Sequence, residues 1–151
     1  MSYTSNLETP LGNVQITATD QFITSILFSE MLPNNDNTIT DLARTQLEAY
    51  FSGKLTNFQL PLATNGTAFQ QRVWEQVNQI LYGSSSFYST VAEGAGNGRA
   101  VRAAASAVGR NTFAIVVPCH RVVGRNGIVT GYRWEPWRKN WLLEFEQQRS
   151  R

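Results

Sequence analysis

Cysteine and histidine are almost absent from this 151-residue chain: each occurs once. A lone cysteine makes no intramolecular disulfide, so nothing points to an oxidising compartment, and the expected setting is the cytoplasm. One Cys and one His are also too few for a structural zinc site, so no metal is expected. No apolar run approaches membrane-spanning length, which excludes a helical membrane span. The opening MSYTSNLETPLG has neither a basic nor an apolar targeting region, so no secretory signal is expected. Acidic residues are missing in one place. Between Gly94 and Trp134 there are none, while Arg99, Arg102, Arg110, Arg121, Arg125 and Arg133 all fall there. Residues 1–93 hold 8 acids and 3 bases, a net of −5; residues 94–151 hold 3 acids and 10 bases, a net of +7. A one-signed arginine stretch interleaved with polar and aromatic residues is suited to phosphate. The basic half is where a polyanion should dock.

What is present reads as two parts. TPLGNVQITATDQFITSILF alternates apolar and polar residues on either side of Asp20-Gln21, which predicts a two-stranded hairpin with Pro10 and Gly12 in an entry turn. Ile39, Ala43, Leu47, Tyr50 and Phe51 follow at helical spacing, closed by Gly53. A linker near Asn65-Gly66 sets the expected boundary between domains at 1–65 and 66–151. Thr67 and Gln70 then have capping-box spacing. Two helices, Ser89 to Ala95 and Arg99 to Val108, joined by Gly96-Asn97-Gly98, outline a helix-turn-helix over about 89–109. The second is nearly all Ala and Val, slim enough to pack closely or to enter a DNA groove. AIVV, 114–117, predicts a buried strand, Asn126-Gly127 a tight turn, and Pro136 the first turn of a last helix. The fold class is α+β.

The only cysteine and the only histidine are adjacent in VPCHRVV. Two readings are open from these residues alone. Cys119 is a small buried hydrophobe, as free cysteines often are; or it is a nucleophile, with His120 to take its proton and Arg121 to lower its pKa.

PCHRVVGRNG, with the helix-turn-helix before it and TGYRWEPWRKNWLLEFE after it, resembles the O6-alkylguanine-DNA alkyltransferases. The resemblance covers nearly the whole chain, and PCHRV is a highly specific signature. It implies an N-terminal ribonuclease-H-like domain of hairpin sheet and helix, followed by a mainly helical domain that holds the helix-turn-helix in the minor groove. The implied reaction is a single, irreversible transfer of an alkyl group from O6 of guanine in DNA to Cys119. By position, His120 matches the base acting through a water, and Glu146 the carboxylate that orients it. Asn111 matches the asparagine that supports the turn, and Tyr132 the tyrosine that protonates the departing guanine. Arg102 matches the arginine that fills the gap in the stack, and Tyr88 the tyrosine that presses on the target phosphate. Val122 matches the carbonyl that reads the guanine amino group, and Lys139 a lysine of the active-site loop. Arg99 and Arg121 are further expected DNA contacts.

The sequence departs from the family pattern at Leu81, at Phe87, in the turn around Gly98 and in RWEPW, 133–137. Phe87, Arg133, Trp134 and Trp137 are therefore expected at the substrate pocket. Their clustering suggests an engineered variant that takes free O6-benzylguanine as a self-labelling tag. The expected partner is double-stranded DNA carrying O6-alkylguanine, met by a monomer without a cofactor. Two alternatives come from other classes: a non-catalytic sensor of alkylated DNA, against which Cys119 itself argues, and a Cys-His hydrolase.

Overall fold

The computed structural model describes residues 1–125 and 132–150; the expected turn at Asn126-Gly127 lies outside them. The fold is α+β, in two compact units. The first comprises Met1–Thr64 and Thr112–Val116; the second comprises Asn65–Asn111 and Val117–Arg151.

In the first unit three antiparallel strands run in the order β1 (Tyr3–Thr9), β2 (Gly12–Ala18) and β3 (Ile23–Phe28). The sequence reading anticipated two. Pro10 and Gly12 do not mark an entry to the sheet: they belong to the turn between β1 and β2, where Thr9 faces Gly12. Thr9 Oγ1 closes that turn, donating to the Gly12 carbonyl at 2.7 Å and accepting from Leu11 N at 3.0 Å. Gly12 has φ 109°, a conformation that a side chain would strain. β1 escaped notice because YTSNLET carries one large aliphatic residue; its buried positions Ser5 and Asn6 are polar. A register shift at Thr17/Ala18 seats Ile23 in the core in place of Phe22, which is 45% exposed. Val14, Ile16, Ile23 and Ile26 are fully buried, and burial of each aliphatic side chain contributes about 1.5–3 kcal/mol. They pack with Ala43, Leu47 and Tyr50 of α1 (Thr38–Phe51). That helix starts on a capping box between Asn37 and Thr40.

The predicted strand 114–117 does not form. Phe113 makes a single bridge to Ile26, and Ala114–Val116 turn immediately, with Ile115 at φ 71°. Apolar β-branched composition alone cannot separate a buried turn from a strand this short.

The second unit begins with α2 (Ala68–Asn78), capped reciprocally by Thr67 and Gln70. A two-residue strand β4 (Ser86–Phe87) leads into α3 (Tyr88–Gly94), and α4 (Val101–Gly109) follows. The linking turn has Gly96 at φ 97°, and Asn97 Oδ1 accepts from Arg99 N at 3.1 Å. Arg99 thus lies in the turn, not in the first helical turn of α4 as the sequence suggested. α4 buries Ala104, Ala107 and Val108 and leaves Arg102, Ala103 and Ser106 exposed. Small residues on the inner face allow close approach, and Trp74 Nε1 reaches the Ala107 carbonyl at 2.8 Å. One face of the slim helix packs and the other is open to solvent. A 3-10 turn (Cys119–Arg121) and β5 (Val122–Val123), parallel to β4, precede α5 (Pro136–Arg149).

Candidate active site

α5 determines much of the site. Pro136 fits the first turn, where the missing N–H costs nothing. Lys139, Leu142, Leu143 and Glu146 recur at i, i+3, i+4 and i+7, so they share one face, and all four are buried. Two ionisable side chains therefore face the interior about two turns apart. Such groups are rarely buried unless they are paired.

Glu146 is paired twice. Its Oε2 accepts from His120 Nε2 at 2.7 Å, and Arg121 grips both of its oxygens, Nε to Oε1 at 2.8 Å and a terminal nitrogen to Oε2 at 3.1 Å. The other terminal nitrogen of Arg121 donates to the Ile80 carbonyl at 2.7 Å. Burial alone would raise the carboxyl, but the hydrogen bonds and charges of His120 and Arg121 outweigh it and hold Glu146 down to about 2. An ionised carboxylate only accepts, so Nε2 of His120 carries the ring proton and Nδ1 presents the lone pair. Burial, with the charges of Arg121 and Lys139, lowers the imidazole pKa despite Glu146, so the ring is neutral. Its Nδ1 is buried and has no hydrogen-bond partner among the described residues.

Arg121 therefore corrects two expectations. It is 5% exposed, with its donors committed to Glu146 and Ile80, so it is not open to a DNA phosphate. Nor does it act on the thiol. Cys119 is 2% exposed, and burial pushes its thiol up to about 12; a hydrogen bond from Asn111 and the charge of Lys139 pull the other way. The resting cysteine is a protonated thiol beside a neutral base, not a thiolate beside an imidazolium. Asn111 also donates from Nδ2 to the Val117 carbonyl at 3.0 Å, which ties the end of α4 to the chain leading into Cys119.

Lys139 is fully buried; burial lowers its ammonium to about 8, with the Cys119 charge acting against the shift. Its Nζ donates to Tyr88 Oη at 3.3 Å. Tyr132 is buried, and its hydroxyl finds no hydrogen-bond partner among the described residues. Burial and the Cys119 charge raise both phenols, so they stay protonated. Cys119, His120, Glu146, Asn111, Lys139, Tyr88 and Tyr132 are thereby linked by bonds or charge, while Val122 sits in β5 opposite Ser86.

The residues noted as departures have separate surroundings. Phe87, 40% exposed, lines a cleft of about 270 Å³ with Tyr88, Ser89, Val101 and Arg125. Trp134 is buried edge-on to Tyr132 with Arg133 over its ring at 5.3 Å, and Arg133 donates to the Asn111 carbonyl at 2.7 Å. Trp137 is 49% exposed and held by Glu135 and Arg138. Of the three large aromatics, only Phe87 lines the cleft.

Two family models cover the chain: residues 68–148 match the 6-O-methylguanine DNA methyltransferase DNA-binding domain, and residues 2–64 match its ribonuclease-like domain. The chain belongs to the 6-O-methylguanine DNA methyltransferase family. It is 40% identical to the constitutive methylated-DNA–protein-cysteine methyltransferase of Bacillus subtilis, over 87% of each chain. The Mycobacterium bovis protein of the same name is 37% identical, covering 99% of this chain and 95% of that one. Among solved structures, the O6-methylguanine methyltransferase of Mycobacterium tuberculosis superposes with a TM-score of 0.90 at 36% identity, over 99% and 94% of the two chains. A complex of the M. tuberculosis OGT with DNA gives 0.88 at 38%, over 95% and 92%. These family members lend no support to an engineered, label-accepting variant, and neither do the separate surroundings of Trp134, Trp137 and Phe87.

The sequence reading missed the clamp of Arg121 on Glu146 and the burial of Lys139. The available signal was the spacing of 139, 142, 143 and 146, which places two charges on an apolar stripe.

Proposed function

We infer that this protein repairs DNA by transferring an alkyl group from O6 of guanine to its own Cys119, once per molecule. The observation that carries this reading is the buried pair of His120 and Glu146 next to Cys119, which leaves Nδ1 as a base inside a family fold named for this reaction. The proton of the thiol passes to Nδ1, directly or through a water. The sulfur lone pair then forms a bond to the alkyl carbon as the carbon–O6 bond breaks. The electrons of that bond go to the guanine, which takes a proton from a phenol, Tyr132 or the Lys139-supported Tyr88. Glu146 stabilises the imidazolium formed in this step, and Lys139 and Asn111 stabilise the thiolate.

Burial holds the Cys119 thiol protonated at rest, at about 12, so transfer requires the proton to pass to His120, and the resulting thioether has no route back. The reacting oxygen lies within a duplex, so the base must leave its stack. Arg102 of α4 and Arg99 of the turn before it are exposed and are the side chains assigned to that task. Catalysis and DNA binding fall to residues 66–151, with 1–65 as the N-terminal domain. The protein acts as a monomer in the cytoplasm on double-stranded DNA, and also accepts free O6-alkylguanines. No helix among the described residues is long and apolar enough to cross a membrane. The test is incubation with a duplex whose O6-methylguanine carries a labelled methyl. Label should move from DNA to protein; a protein that releases labelled product repeatedly would be a hydrolase, and one that binds without transfer would be a sensor.

A further inference from the structure

We propose that Arg133 is a positioning residue for alkyl transfer: it fixes the Tyr132 phenol relative to Cys119 by tying the turn after Tyr132 to the backbone of Asn111. The inference rests on the alkyl-transfer reading, with Tyr132 as its proton donor. Tyr132 is buried, and its hydroxyl has no hydrogen-bond partner among the described residues. Packing, not a bond from the hydroxyl, therefore sets the place of the ring. Trp134 supplies that packing, edge-on at 5.4 Å with an interplanar angle of 69°. Trp134 is itself held at ring and backbone. Arg133 lies over its ring at 5.3 Å, and Arg138 donates to its carbonyl at 3.2 Å.

The turn is built for one geometry. Glu135 N donates to the Tyr132 carbonyl at 3.3 Å, and Glu135 has φ 79°, a conformation that residues other than glycine keep only where their surroundings impose it. Its carboxylate accepts from Trp137 Nε1 at 3.2 Å and pairs with Arg138 at 3.8 Å. Arg133 joins this turn to the nucleophile. The guanidinium that covers Trp134 also donates to the Asn111 carbonyl at 2.7 Å. The Asn111 side chain donates to the Val117 carbonyl at 3.0 Å and hydrogen-bonds the Cys119 thiol. One residue thus holds the acceptor sulfur through its side chain and, through Arg133, the proton donor through its carbonyl. Displacement puts sulfur, alkyl carbon and O6 in line, and a misplacement of about 1 Å costs about a hundredfold in rate. Arginine suits the position because a planar fork stacks on an indole while donating in its own plane, which an ammonium does not do.

Arg133 is also exposed and lies in the acid-free arginine stretch, so a phosphate contact is the rival role. Two quantities separate them: the single-turnover rate of transfer from a saturating duplex containing O6-methylguanine, and Kd for an unmodified duplex. Arg133→Lys keeps the charge and loses the fork. Its rate should fall about tenfold or more, with Kd within about twofold of that of the unaltered protein. In a Tyr132→Phe background, which lacks the phenol, the same change should cost less than about threefold, because Arg133 acts through Tyr132. A near-normal rate in Arg133→Lys would overturn the proposal. So would a Tyr132→Phe rate equal to that of the unaltered protein, or losses that multiply in the double variant, as they would if Arg133 only supported the fold. If the unaltered protein takes no alkyl group from the duplex, the alkyl-transfer reading itself fails, and this inference with it.

Discussion

Replacing Glu146 by glutamine would remove one charge and leave the shape. In the native protein this carboxylate accepts three charge-assisted or polar hydrogen bonds, at 2.7, 2.8 and 3.1 Å, from two neighbouring residues. Its carboxyl is held at about 2 against an ordinary 4.5, which corresponds to roughly 3 kcal/mol of stability near neutral pH. A second route gives a similar figure: removing one partner of a buried pair costs about 3–5 kcal/mol, because the other charge is left uncompensated. Here that charge is the Arg121 guanidinium. For a chain of this size, 3 kcal/mol lowers Tm by roughly 6–12 °C. The sign with pH is fixed by the direction of the shift. The folded carboxyl is depressed, so its contribution is complete above the unfolded value of about 4.5 and lost as pH falls towards about 2. Thermal unfolding of both proteins across that range should show the gap open near neutrality and closing in acid. A gap below about 1 kcal/mol near pH 7, or one that persists undiminished near pH 2, would refute the assignment of Glu146 as an ionised, doubly bound anchor.

Tyr132→Phe should separate activity from stability. Loss of the proton donor should slow transfer on the order of a hundredfold, while removal of a buried hydroxyl without a partner should leave Tm unchanged or slightly higher; a clear loss of stability would show the hydroxyl to be structural. Lys139→Met should behave similarly, slowing transfer about tenfold because the thiol loses the cation that lowers it. The folded ammonium is depressed, so the unfolded chain binds the extra proton between about 8 and 10.5, and native stability rises with pH across that window. Lys139→Met should be more stable near neutrality, by up to roughly 3 kcal/mol, and should lack that rise in urea unfolding. An identical pH profile in both proteins would show that Lys139 is not buried as a cation.

Much of this was legible in the chain before its structure. VPCHRVV, the acid-free arginine stretch and the Thr67–Gln70 cap rest on local chemistry, and local chemistry survives folding. What was not legible depended on partners distant in sequence. Arg121 reads as a phosphate contact until Glu146, 25 residues on, claims its donors. The thiol pKa goes up, not down, because complete burial of Cys119 outweighs cations that its neighbours in sequence only suggest. β1 was hidden by polar residues at buried positions, Asn6 among them, which finds its partners in Leu32 and Asn34. AIVV looked like a strand because a run of four apolar residues carries no period, and Ile115 at φ 71° is a conformation that composition would not assign to isoleucine.

The central claim is that Cys119 accepts one alkyl group and keeps it. Intact-protein mass after incubation with excess O6-benzylguanine tests it most directly. The account predicts a shift of one benzyl group per molecule, mapped to the peptide containing Cys119, a plateau at full occupancy, and no shift in a folded Cys119→Ala variant. Guanine released beyond one equivalent, or an adduct that persists in Cys119→Ala, would contradict it.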